Sequence, residues 1–553
     1  MAFVMEILRT ARKNKPNSEM KTIPFKRAFF IKAQCQQYAR LAIIFIASLV
    51  LVSCGTNPVT KKTEFQFVSQ QKEIAIGTQN YSPTRQSQGG DYILDLELTA
   101  YVQNIGKRLA AVSDRPDLPY EFVVINDSVP NAWAMPGGKI AFNRGLLYEL
   151  NSEAELAAVM GHEIVHAAAR HGAKSMERGI FLQGAMIAVG IGAQNSDYAN
   201  LIVGGSQLGA QLISSKYGRD AESESDFYGM QYMKKAGYDP SAAVRLQETF
   251  VRLSQDKKSD FISGLFASHP PSPKRVVDNQ ATLATIGAGG EIGQETYAKK
   301  VAYLKATQPA YKAYDEALLA LKKGDLSTAS ALAKKAIAGE PREARFQELL
   351  GDIALTQNQS ETALGFYAKA INMQPDYFKP HIQSGIALFN MGKKKEAEPY
   401  LKRANELLPT APGHAFLGQI AEERGDTRLA LQHYQVAASS NSDIGKEASF
   451  RAMRLDFPRN PNQYLQSGVL ADNRGHLIAI VQNNTTLPIE NVQVRVIRYD
   501  AQTGRALSRS NPLQIRGIIE AGRRGQVSTG IRISDPEETR LYKVAIEAAR
   551  LVQ

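Results

Sequence analysis

Apolar positions recur at spacings of three and four through Leu94, Leu98, Tyr101, Val102, Ile105 and Leu109, which predicts a helix over 94–111. The period then drops to two in Tyr120-Glu121-Phe122-Val123-Val124-Ile125, a strand. A second strand, Lys139 to Asn143, follows a turn at Pro136-Gly137-Gly138. Ser152-Glu153-Ala154-Glu155 fits a capping box, so the next helix runs from about 152 to 171, with Gly172 closing it. Apolar, Gly-rich stretches at 181–193 and 201–213 are short and interrupted, and read as buried helices rather than bilayer spans. Another helix covers about Asp220 to Lys235, stopped by Gly237 and Pro240. Upstream of these, Cys54 to about Gly90 has few periodic apolar positions and reads as a tether with one short helix.

Gly287-Ala288-Gly289-Gly290 marks the end of a first domain, and beyond it the chain repeats. Pro341, Pro375 and Pro409 are 34 residues apart, as are Ala329, Ala363 and Ala397, and Ala336, Ala370 and Ala404; Gly351 and Gly385 share the period. Small residues where two helices cross, with Pro after the second, give the tetratricopeptide pattern, and a degenerate unit around Ala430 extends the array over about 308–460. The last 90 residues change character: Leu477 to Val481, Val492 to Tyr499, Gln526 to Ile533 and Tyr542 to Ala548 read as strands of a small β-sandwich with no evident chemistry.

A length of 553 residues requires several cores, and 44% hydrophobic with 22% charged residues is ordinary for globular domains. The formal charge of +12 suggests nucleic acid until it is located: residues 1–53 hold nine Lys or Arg against two Glu. The remainder is only mildly basic and has no Arg/Lys stripe interleaved with aromatics, so a nucleic-acid partner is excluded. Lys21, Lys26, Arg27, Lys32 and Arg40 instead precede the apolar run Leu41 to Val52, the layout of a signal peptide, and initiation at Met20 would give it a conventional length. Leu51-Val52-Ser53-Cys54-Gly55 resembles a bacterial lipobox, which makes Cys54 the lipidated first residue of the mature chain. By the same resemblance Gly55 directs it to the outer membrane. Only Cys35 remains, upstream of the cut, so no disulfide is available.

Candidate chemistry centres on His162-Glu163-Ile164-Val165-His166. At i and i+4 on a helix, two imidazoles lie about 40° apart and can reach one metal, with Glu163 beside it. The flanking Ala157, Ala158, Val159, Met160, Ala167 and Ala168 predict a buried helix, and buried paired histidines need a partner. Imidazole and carboxylate suit zinc, and a hydrolytic site keeps one of four positions open. On the 220–235 helix Glu222 is the better third ligand. Asp226, on the same face, supports an imidazole N–H, while Glu224 points away toward solvent. His171 reads as structural.

This motif, with Glu222-Ser223-Glu224-Ser225-Asp226, resembles the zinc metallopeptidase family of HtpX, the CAAX prenyl proteases and BepA, over residues 60–285. Asn131-Ala132-Trp133-Ala134-Met135-Pro136-Gly137-Gly138 and Asn143-Arg144-Gly145-Leu146-Leu147 resemble the strand before the family's zinc helix, an edge that pairs with substrate. The resemblance implies one Zn2+ held by His162, His166 and Glu222, with Glu163 as general base. Ser268-His269-Pro270-Pro271-Ser272-Pro273-Lys274-Arg275 resembles a loop that can place a His on the zinc. His269 is then a latch, a transition-state group or a histidine in a plain Pro-rich connector, and Arg275 is either a structural ion pair or a substrate or oxyanion contact. Ser225 stands where the family has Ala, and the β tail has no counterpart in BepA.

The expected chain is therefore a signal segment (1–53), a mainly α, zincin-like α+β peptidase domain (54–300), a tetratricopeptide solenoid (308–460) and an all-β domain (461–553). The expected function is a periplasmic endopeptidase, lipid-anchored in the outer membrane, that cuts misfolded or stalled envelope proteins. By resemblance its repeats contact the outer-membrane assembly machinery. The alternative is a non-proteolytic scaffold or chaperone with a vestigial zinc site.

Overall fold

The structure, a computed structural model, describes residues 54–183, 217–255 and 264–552. The expected signal segment and most of the apolar stretches at 181–193 and 201–213 lie outside the described residues. Among those described, no helix is long and apolar enough to cross a membrane. The described chain forms a hairpin (54–57 and 61–67) and a body (58–60 and 68–552). In the hairpin, β1 (Cys54–Thr56) pairs antiparallel with β2 (Thr63–Phe65), with Cys54 opposite Phe65.

In the body, the polar segment expected to hold a short helix forms the 18-residue α1 (Gln70–Ser87). Its buried face is Glu73, Gly77, Asn80, Tyr81, Thr84 and Gln86, so no apolar period announces it. Charge satisfaction holds it instead: Glu73 pairs with Arg115 at 3.0 Å and with Arg170. Helix α2 (Leu96–Ala110) buries Leu98, Val102, Ile105 and Leu109, as its period predicts. Strands β3 (Glu121–Ile125), β4 (Ala132–Met135) and β5 (Lys139–Asn143) form a sheet in the order β3-β5-β4, with β3 parallel and β4 antiparallel to β5. The turn before β5 needs left-handed backbone at Gly137 and Gly138 (φ 78° and 81°), which glycine adopts without a Cβ clash.

After the short α3 (Arg144–Glu149) comes α4 (Glu153–Ala168), whose N-cap Ser152 accepts from the Glu155 N–H at 3.2 Å. The single helix expected to reach 171 is two: Arg170 turns to φ 62° and α5 (His171–Gln183) restarts beyond it. The side chain of Arg170 accounts for the break, since it is buried on Glu73 and the Val68 carbonyl, contacts that a continued α4 would not supply. Gly172 therefore sits inside α5, where a Cβ would lie 3.3 Å from Pro136, rather than closing α4.

Helices α6 (Arg219–Lys235), α7 (Ser241–Ser254), α8 (Leu265–Ser268) and α9 (Pro273–Ile286) complete the layer around α4. The glycine-rich stretch after α9 is not a loose tether. Asp239 donates its N–H to the Glu291 carbonyl at 3.1 Å, and α10 (Gln294–Lys300) buries Tyr297, whose hydroxyl donates to the Leu147 carbonyl at 2.5 Å.

Antiparallel helix pairs follow, from Ala302–Lys322 with Leu326–Gly339 to Ala411–Glu423 with Thr427–Ala437, closed by Asp443–Asp456. The repeat positions are where the helices touch: Ala329, Ala363, Ala397, Ala336, Ala370 and Ala404 are all fully buried. A Cβ on Gly351 or Gly385 would lie 2.4 Å from Tyr367 or 2.6 Å from Leu401. The first repeats are bonded to the peptidase body. Glu343 accepts from Asn126 at 2.9 Å and from the Tyr311 hydroxyl at 2.5 Å, and the Arg144 guanidinium lies 3.4 Å over the Tyr311 ring. Gln86 of α1 donates to the Asp376 carbonyl at 2.7 Å.

The tail forms two facing sheets. One is β10 (Leu513–Ile515), β8 (Ile489–Tyr499) and β12 (Tyr542–Leu551), with β9 (Ala506–Arg509) on β8; the other is β11 (Arg524–Arg532), β7 (His476–Asn483) and β6 (Leu465–Ala471). Leu477, Val481, Val492 and Val494 fill the space between. The expected strands are present. The unexpected β6, β9 and β10 bury too few side chains to alternate clearly.

Candidate metal centre

Helices α4 and α6 cross at two glycines. A Cβ on Gly161 would lie 3.0 Å from the Gly229 carbonyl oxygen, and one on Gly229 would lie 3.0 Å from the His162 nitrogen. This backbone contact brings Glu222 of α6 over His162 and His166 of α4. Glu222 Oε2 lies 3.6 Å from His162 Nε2, Oε1 lies 3.4 Å from His166 Nε2, and the two Nε2 atoms are 3.0 Å apart. His269, just after α8, joins them: its Nδ1 is 3.0 Å from Glu222 Oε1 and 3.3 Å from His162 Nε2. All four side chains are buried, and their ligand atoms lie within 4.8 Å of one another.

The surrounding partners fix where the protons sit. Asp226 accepts from His162 Nδ1 at 2.9 Å, leaving Nε2 as a lone pair. On the other ring, Glu224 accepts from His171 Nε2 at 3.3 Å, so His171 Nδ1 is an acceptor and takes the Nδ1 proton of His166 at 3.0 Å. His166 Nε2 is thus also a lone pair, and burial pushes its pKa well below the usual histidine range. Two facing lone pairs at 3.0 Å repel unless a cation lies between them. Burial would raise the Glu222 carboxyl, but His269, with its Nδ1 3.0 Å away, outweighs it and holds it well below the carboxylate range. Asp226 is likewise low, because Arg275 outweighs its burial. Three carboxylates (Glu163, Glu222, Asp226) share one permanent cation, Arg275, so the deficit when all are ionised is that of a divalent ion. The donor set fits zinc.

Glu163 is fully buried with neither carboxylate oxygen hydrogen-bonded; burial raises its pKa, and His269 Nε2 is 3.5 Å from its Oε1. Arg275 has its donors engaged, Nε and Nη2 on Asp226 at 2.7 Å each and Nη1 on Glu222 Oε2 at 2.9 Å. Glu224 departs from expectation: it reaches His171 because α5 restarts at that residue and turns the ring toward α4 and α6. Also unforeseen is Tyr217, whose ring stacks on His166 with centroids 3.9 Å apart and whose hydroxyl donates to the Ala134 carbonyl of edge strand β4 at 3.5 Å. No sequence period marks a residue that acts from just outside a helix.

Residues 97–282 match the model of Peptidase family M48, and residues 314–378 match the Tetratricopeptide repeat. Residues 97–282 are a family M48 peptidase domain. The expected metallopeptidase resemblance and the repeats are both borne out. The chain is 33% identical over 226 residues to the Mitochondrial metalloendopeptidase OMA1 of Schizosaccharomyces pombe, covering 40% of this chain and 63% of that protein. It is 25% identical over 340 residues to the Beta-barrel assembly-enhancing protease of Escherichia coli strain K12, covering 56% of this chain and 69% of that protein. The protein of the same name in Yersinia pestis is 25% identical over 403 residues, covering 66% and 81%. The chain thus spans less than two thirds of the yeast relative.

The M48 helix crossing generates a prediction. Gly229→Ala places a methyl 3.0 Å from the His162 nitrogen, so the helices separate and Glu222 moves off the two imidazoles. We expect a stability loss of about 1–3 kcal/mol and zinc affinity at least about tenfold weaker, measured by thermal melts and chelator competition. Unchanged zinc affinity would show that the crossing does not set the ligand spacing.

Proposed function

We propose that the chain is a zinc-dependent endopeptidase of the bacterial envelope that hydrolyses misfolded or stalled envelope proteins. One zinc per chain would be held by His162, His166 and Glu222, with Asp226 steadying His162. The observation that carries this reading is the meeting of two proton-free Nε2 atoms and an ionised carboxylate beside Glu163, a buried carboxyl with no hydrogen bond. A scaffold with a structural metal has no use for that unpaired carboxyl, which favours hydrolysis over the non-proteolytic alternative. The names of the Escherichia coli and Yersinia relatives support β-barrel assembly as the setting. The repeats offer a concave groove for polypeptide partners. The proposal includes a cleaved leader at 1–53, a lipid anchor at Cys54, periplasmic exposure, and domains at 54–300, 308–460 and 461–553.

Zinc would supply Lewis acidity, bringing the pKa of water toward about 7 and polarising the scissile carbonyl. Glu163 takes the proton from the attacking water as the C–O bond forms, and its burial helps it retain that proton. It then passes the proton to the leaving amine as the C–N bond breaks. Arg275 holds Asp226 and Glu222 in place throughout. His269 fills the remaining position of the donor set, between Glu222 and Glu163, so it must withdraw before water and substrate enter. It therefore latches the enzyme.

Glu163→Gln should cut casein hydrolysis at least about a hundredfold while zinc content, measured by atomic emission, stays at the wild-type level; equal activity would refute the mechanism. His269→Ala should raise basal proteolysis and keep zinc, whereas lost activity would make His269 a transition-state group. Cys54→Ser should release the chain from the membrane fraction. If the mutant stays in a salt-washed pellet, anchoring belongs to residues 181–213.

A further inference from the structure

Beside the donor group lies a cavity of about 50 Å³, bordered by His162 and Glu163 on α4, by α6, and by α7. Along α7 its wall begins as the sequence period requires, with Leu246 and Phe250, but Gln247 interrupts the apolar stripe. Gln247 is only 5% exposed and its Nε2 has no hydrogen-bond partner. Facing the same cavity from α6, Ser225 is completely buried and its Oγ is also unpartnered. Each such group left unpaired costs about 1–3 kcal/mol. A leucine or methionine at 247 and an alanine at 225 would remove that cost, so their burial beside Glu163 calls for a ligand that pairs them.

We infer that this cavity receives the side chain of a residue flanking the scissile bond, and that Gln247 and Ser225 select a polar one, such as Ser, Thr or Asn, over an aliphatic one. The inference deepens the proteolytic reading and rests on it. Chemistry sets the polarity. The Gln247 amide both donates and accepts, and the Ser225 hydroxyl does the same, so a hydroxyl or amide can pair with either. A site that hydrogen-bonds a substrate hydroxyl rejects the apolar analogue strongly, because its own buried groups are then left unpaired.

The test uses the full-length zinc-loaded chain. Cleavage sites in denatured casein are mapped by mass spectrometry for wild type, Gln247→Met and Ser225→Ala. In parallel, the binding of fluorescent peptides differing at one position (Ser, Thr, Asn, Ala, Leu) is measured on the Glu163→Gln background with and without Gln247→Met. Wild-type Gln247 should favour Ser, Thr or Asn over Leu by at least about tenfold, and Gln247→Met should abolish or invert the preference. Ser225→Ala, which only deletes one oxygen, should reduce the preference in the same direction and guards against a folding defect at 247. Identical preferences in wild type and both variants would overturn the inference and leave the two polar groups to bridging water. If nothing is cleaved but the peptides are still discriminated through Gln247, the proteolytic reading fails and the pocket stands; if neither is seen, both fall.

Discussion

Helices α4 and α6 touch backbone to backbone, and the geometry of the site depends on it. At the crossing Gly161 and Gly229 leave no room for a methyl on either side. The spacing is thereby set by main-chain contact rather than by side chains that could repack. Glu222 comes down on two imidazoles one helical turn apart, and Asp226, one turn further along α6, meets the outer nitrogen of His162. A wider crossing would leave a carboxylate and two histidines near one another without a common point.

Bringing these groups together buries charge, and the surrounding residues show how the fold tolerates it. Arg275 spans Asp226 and Glu222, so one guanidinium steadies both the ligand and the support of its neighbour. On the far side, Glu224 and His171 orient His166, giving each histidine ligand its own carboxylate-terminated support, one direct and one through a second imidazole. Among the groups at the centre, both oxygens of Glu163 and the outer nitrogen of His269 remain without a hydrogen bond.

The repeats are joined to this machinery by polar contacts rather than by a flexible linker. Glu343, Arg345 and Gln374 bond to main-chain and side-chain groups at the ends of α1 and of strand β3. The same sheet carries edge strand β4, which Tyr217 ties to the His166 ring. The repeats and the donor group are therefore parts of one bonded body.

The sequence by itself determined whatever depends on local spacing. The His162/His166 pair and Glu163 lie within one helical turn and a half, Glu222 and Asp226 share a face through i, i+4, and the repeats declare themselves through small residues that recur every 34 positions. In these cases the physical cause is the period of one helix, which any stretch of sequence carries whole. Only the tertiary structure decided the rest. It broke the expected helix at Arg170, because that side chain answers to Glu73 from α1, far away in sequence. It turned Glu224 from a solvent residue into the support of His171. It engaged Arg275 in ion pairs, brought Tyr217 onto His166, and made α1 a buried helix although its inner face is polar. Each of these outcomes rests on a charge or ring satisfied by a partner from another element, and no periodicity along the chain records which partner that will be.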